Sequence, residues 1–121
     1  MIGYVTLGTN DLPTAIAFNE KLLGSFGVKR VWESEQGIAW GTESSPGLGV
    51  LKPFDGKAAT RGNGTMVALA AGSKAQVDAI YNLAISLGAT DEGKPGQRAD
   101  GFYAAYFRDL DGNKLNCFFM G

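Results

Sequence analysis

Apolar and polar positions alternate along the first residues of the chain. Val5 and Leu7 stand between Tyr4, Thr6 and Gly8, and this period of two predicts a strand over Met1 to Thr9. The period then lengthens. Ile16, Phe18, Leu22 and Leu23 form one apolar helical face, Asn10 or Asp11 is placed to cap it, and Pro13 is tolerated in its first turn. Gly24 and Gly27 are natural stops, because glycine takes the left-handed conformation cheaply. Three strand-like runs follow, Val28 to Glu33, Gly37 to Thr42 and Leu48 to Leu51, with turns at Gln36-Gly37 and Ser44 to Gly47.

The same order is then written again. Pro53 to Gly62 is polar and glycine-containing and reads as a connection. Gly64 to Ala71 is a second opening strand, with Val67, Leu69 and Ala71 on one face. Ser73 and Gln76 match a capping box, and Val77, Ile80, Tyr81, Ala84 and Leu87 recur at helical spacing until Gly88. Ala89 to Gly93 reads as a short edge strand and Lys94 to Gly101 as a loop. Phe102 to Arg108 and Lys114 to Met120 read as a hairpin turned by Asp109-Leu110-Asp111-Gly112-Asn113.

Both halves thus run strand, helix, strand, strand, strand, at an offset of about sixty residues. Tyr4-Val5-Thr6-Leu7-Gly8 stands opposite Met66-Val67-Ala68-Leu69-Ala70. The expectation is an α+β single domain of two βαβββ modules, about 1–55 and 63–121, with a linker at about 53–62. Alternation turns Val5, Leu7, Val67, Leu69, Leu115 and Cys117 toward the helices. It turns Tyr4, Thr6, Met66, Ala68, Asn116 and Phe118 to the opposite side.

Composition narrows the chemistry. Eleven basic and twelve acidic residues give a net charge of −1, without the basic surface that nucleic acid or anionic lipid requires. No apolar run reaches membrane-span length, and no basic-then-apolar leader opens the chain, so a cytoplasmic protein is expected. The single cysteine, Cys117, lies in an apolar run and reads as a buried structural thiol. There is no histidine among the 121 residues, so any metal must be held by oxygen or sulfur alone.

Three stretches carry a family resemblance. Tyr4 to Leu12 is similar to the opening of vicinal-oxygen-chelate proteins, the glyoxalase, bleomycin-resistance and extradiol-dioxygenase relatives. Ala17 to Gly24 resembles the end of their first helix, and Phe107-Arg108-Asp109-Leu110-Asp111-Gly112-Asn113-Lys114-Leu115 their closing hairpin. The resemblance implies sheets curled into a U-shaped half-barrel with helices on the convex face, a small molecule in the concavity, and a homodimer. In metal-dependent members the ligands fall at positions that here are Tyr4, Met66, Asn116 and the neighbourhood of Gly49. None is a histidine or glutamate. Methionine, glycine and a neutral amide do not replace those donors, and a phenol with a pKa of about 10 ionises at a cost. No metal and no cofactor are therefore expected.

The candidate ligand-binding residues are Tyr4, Thr6, Trp40, Met66, Tyr103, Asn116 and Phe118. They describe an apolar pocket with a few oriented polar groups, the usual makeup of a small-molecule site. The face taken by Trp40, Phe102 and Tyr103 stays open, and filling of the sheet interior by aromatics is the alternative. Asp109, Asp111 and Asn113 are explained by turn chemistry without calcium. Arg61, Arg98 and Arg108 are each able to clamp an anion or simply to sit in solvent; Arg98 falls in the glycine-flanked loop. Glu33, Glu35, Glu43 and Asp100 are potential acid/base groups.

Two functions fit. One is a metal-free binder that sequesters or carries an apolar or aromatic molecule. The other is a metal-independent lyase or isomerase on a small oxygenated substrate, which needs a base within about 3 Å of the substrate proton. A dimeric interaction module with a filled cavity is the third, plainer reading.

Overall fold

The computed structural model describes residues 1–121. The chain divides into two compact units, Met1–Thr60 and Arg61–Gly121. Each is a four-stranded open sheet with one helix.

In the first unit the strands are β1 (Tyr4–Gly8), β2 (Lys29–Ser34), β3 (Gly37–Gly41) and β4 (Gly47–Leu51), ordered β1-β4-β3-β2, with α1 (Leu12–Gly24) between β1 and β2. β1 pairs with β4 in parallel and the other pairs are antiparallel. Asp11 caps α1 by accepting from the Thr14 amide at 3.2 Å, and Gly27, at φ +77°, supplies the left-handed turn after it. Phe18, Leu22 and Leu23 of the helix are buried together with Leu7, Ile38, Trp40, Leu48 and Val50 of the sheet. Residues 53–60 belong to this unit. Asn10 donates its side-chain amide to the Ala59 carbonyl at 3.1 Å and accepts from the Ala59 amide at 2.7 Å. All six residues of β2 are exposed, and its pairing with β3 slips at Val31.

The second unit repeats the plan. Its strands are β5 (Val67–Ala70), β6 (Thr90–Ala99), β7 (Phe102–Arg108) and β8 (Lys114–Met120), ordered β5-β8-β7-β6, with α2 (Lys74–Ser86) after β5. Ser73 accepts from the Gln76 amide at 3.0 Å, while the Gln76 side chain reaches back to the Gly72 amide at 2.7 Å. Val77, Ile80 and Ala84 of α2 bury against Ala105, Phe107, Leu115 and Cys117. Asp109 orders the β7–β8 turn, accepting from the amides of Asp111 at 3.0 Å and Asn113 at 2.9 Å and from the Asn113 side chain at 3.0 Å.

Two expectations need correction here. The opening strand of the second unit is shorter than Gly64 to Ala71. The stretch expected as a loop, Lys94 to Gly101, is mostly strand: β6 runs for ten residues through Lys94-Pro95-Gly96. It is an edge strand with three breaks in register against β7. An edge position needs only one side's hydrogen bonds, so Pro95 is tolerated where a central strand would exclude it.

Candidate functional site

Register decides which side chains face the helix and which face away. In the first unit Trp40 pairs with Leu48, which pairs with Val5, and this row packs under α1. The next row, Thr6, Gly49 and Ala39, lies on the open face, as do Tyr4 and Gly47. The slip at Val31 brings Trp32 opposite Ala39, so its indole joins the open face as well.

That face holds a cavity of about 730 Å³. Tyr4 on β1 and Trp32 on β2 are its aromatic sides, 72% and 47% exposed, and Gly41, Gly47 and Ala39 are its floor. Thr42 and Ser45 at the rim satisfy one another, the Thr42 hydroxyl donating to Ser45 Oγ at 2.8 Å. Among the lining groups only the Tyr4 phenol is ionisable. Other cavities, of about 410 to 470 Å³, are smaller and lined by charged residues such as Lys52 and Lys57, or Arg61, Glu92 and Asp111.

Of the seven expected residues, Tyr4 and Thr6 line this cavity and the other five do not; Trp40 and Tyr103 turn to the helix side of their sheets. Trp40 is 2% exposed and its indole N–H donates to Glu20 Oε2 of α1 at 2.5 Å. That bond, followed by the Arg30 guanidinium, holds the Glu20 carboxyl below the usual carboxylate range. Tyr103 pairs with Phe119 on the helix side of its sheet and donates its hydroxyl to Asp78 of α2 at 2.6 Å. This bond, with burial, raises its phenol above the ordinary value. Both aromatics fasten a helix to a sheet.

Asn116 and Phe118 lie on the open face of the second sheet, opposite Ala68 and Ala70 of β5. Phe118 meets Phe102 at a ring distance of 5.8 Å, which settles Phe102 on this face too. Asn116 is 1% exposed and its Nδ2 has no hydrogen-bond partner. Beside it Tyr106 carries two cations over its ring, Arg98 at 5.5 Å and Lys114 at 5.4 Å. Arg98 is therefore a strand residue folded onto its own sheet, with Nη2 donating to the Lys94 carbonyl at 2.5 Å, not a loop residue. Met66 precedes β5 and is 43% exposed. Arg108 is engaged by Glu92.

Sequence reasoning missed Trp32. The signal was present, a tryptophan in a strand flanked by charged residues, but the bulge at Val31 hides its face from a strict period of two.

Two open βαβββ modules, each with its helix on one side of the sheet, define the class of fold. The chain belongs to the glyoxalase/bleomycin resistance protein/dioxygenase superfamily, whose family model matches residues 1–117. It is similar to a glyoxalase/bleomycin resistance protein from Albidiferax ferrireducens, at 35% identity and a TM-score of 0.90, over 98% of this chain and 97% of that one. A family enzyme from Burkholderia phytofirmans is 21% identical, with a TM-score of 0.78 over 96% and 95% of the two chains. Lactoylglutathione lyase from Agrobacterium tumefaciens is 22% identical, with a TM-score of 0.72 over 98% and 92%. These two likenesses speak to the fold alone. A search of curated proteins returns no match. No helix is long and apolar enough to cross a membrane.

The resemblance to metal-dependent relatives implies ligand positions at Tyr4, near Gly49, and at Met66 and Asn116. They offer a phenol, no side chain, a thioether and an amide whose nitrogen is a buried, unpaired donor. Neither imidazole nor carboxylate stands at any of these positions, and none offers a donor that suits a divalent cation on its own.

Proposed function

We propose that the protein binds a small apolar or aromatic molecule without a metal, on the open face of the first module, and sequesters or carries it. The observation behind this is the cavity of about 730 Å³ between Tyr4 and Trp32. Its size lies within the 300–1,000 Å³ usual for ligand pockets, and its lining follows the usual recipe of apolar walls with a few hydroxyls. Thr6, Thr42 and Ser45 supply those hydroxyls. The lining has no carboxylate or amine to serve as a general base, which favours binding over a lyase or isomerase reaction.

The test is a thermal-shift screen of aromatic, cationic and thiol-conjugate compounds, with hits followed by calorimetry. Stoichiometric binding that Trp32→Ala and Tyr4→Ala each weaken by tenfold or more is the expected result. Absence of any binder, or binders indifferent to both substitutions, defeats the proposal. Turnover of a ligand that disappears on exhaustive chelation defeats its metal-free part.

A further inference from the structure

The geometry points to a narrower ligand class: we infer that this cavity selects flat, fused-ring molecules, because its floor is glycine. The inference rests on the reading that the face binds a small molecule. Gly41 of β3 and Gly47 of β4 line the cavity, and Gly49 lies on the same face, where the side chains of Ala39, Thr6 and Leu51 also stand. Glycine weakens a strand and commonly marks a place where something approaches the backbone closely. None of the three has a positive φ, so the backbone conformation does not call for glycine.

Packing within the chain does not call for it at Gly47 either. A Cβ there would meet the Trp40 carbonyl oxygen at 3.4 Å and the Tyr4 Cβ at 3.5 Å, which are ordinary contacts. Gly37 gives the contrast, since a Cβ there would lie 2.2 Å from the Val50 carbonyl oxygen. Gly37 is fixed by the fold; Gly47 keeps the floor low. Where Gly41 and Gly47 line it, the floor presents bare peptide planes, with only the Ala39 methyl beside them and Thr6 and Leu51 at its border, and a flat ring makes contact over its whole area there. A puckered ring of the same skeleton touches at a few hydrogens. Tyr4 and Trp32 stand on strands three intervals apart, roughly 14 Å, which leaves room for two fused rings between aromatic side walls. The walls add offset or edge-to-face contacts available only to an aromatic guest.

The test compares 1-naphthol with decahydro-1-naphthol, flat and puckered versions of one skeleton, by calorimetry and by the change in tryptophan emission, checked against Trp32→Phe, which leaves Trp40 as the single tryptophan. The wild-type protein is expected to bind 1-naphthol at least about tenfold more tightly. Gly47→Ala is expected to keep its circular dichroism and melting temperature while losing that preference. Gly49→Ala, whose Cβ meets the movable Leu51 Cδ1 at 3.0 Å and the Ala39 Cβ and Ile38 carbonyl oxygen at 3.5 Å each, repeats the test if the first variant misfolds. Equal binding of the two probes overturns the flat-ring inference and leaves the binding proposal standing. Binding of neither, with no hit in the wider screen, removes both. A preference retained in Gly47→Ala and Gly49→Ala overturns the role of the floor. Tryptophan emission that shifts with protein concentration alone, and no longer does so in Trp32→Phe, places a second copy on this face and overturns the inference.

Discussion

Removing the bond between the Trp40 indole and the Glu20 carboxylate tests whether α1 is locked to its sheet through that contact. Trp40 is 2% exposed, and its Nε1 lies 2.5 Å from Glu20 Oε2. A hydrogen bond to a charged group contributes roughly 1.5–3 kcal/mol. The Glu20 side chain is 45% exposed, and screening by solvent reduces the figure to about 1 kcal/mol. A double-mutant cycle of Glu20→Met and Trp40→Phe isolates it, because the lost Arg30 contact and the smaller ring each cancel between the arms. Urea unfolding followed by far-UV circular dichroism should give a coupling of about 1 kcal/mol at neutral pH. The folded-state pKa of Glu20 lies below its unfolded value of 4.5. The stabilisation is therefore complete above 4.5 and is lost as pH falls through the folded value. A coupling under about 0.3 kcal/mol at neutral pH, or one unchanged at about pH 3, refutes the reasoning.

Leu22→Ala, at a site with no exposed surface, should cost about 2–5 kcal/mol in urea unfolding, against less than about 0.5 for Tyr4→Ala at 72% exposure. Burial pushes the Cys117 thiol up to about 12, so the native protein at mildly alkaline pH should react with a disulfide reagent no faster than it unfolds. Faster labelling would mean an accessible thiolate. Asn116→Leu removes an unpartnered buried donor and should raise stability by about 1 kcal/mol in thermal unfolding; a loss of that size would show the amide to be paired.

The repeated strand-helix-strand plan was legible because its signals are local. Caps at Asp11 and Ser73 and the helical spacing of Val77, Ile80, Tyr81 and Ala84 need no tertiary knowledge. The Asp109 turn is likewise written in the residues that make it. The faces of Trp40 and Tyr103 were not legible, because a strand start misjudged by one residue reverses every side chain after it. Their faces are settled by partners twenty and twenty-five positions away, Glu20 and Asp78. β6 was misread because Lys94-Pro95-Gly96 has the composition of a loop, and only its place at the sheet edge makes it a strand.

The broken pairing of β6 also tells where this chain can change length. Each of its three breaks against β7 already absorbs a mismatch in residue count between the two strands. One more residue beside Pro95 can be taken up there while Tyr106 and Phe107 keep their sides. The β7–β8 ladder runs unbroken from Phe102 to Arg108, and the same insertion within β8 would exchange Leu115 with Asn116 and turn the core outward. Insertions and deletions, whether drifted or engineered, have a natural home in one strand of this sheet and are barred from its neighbour two places over.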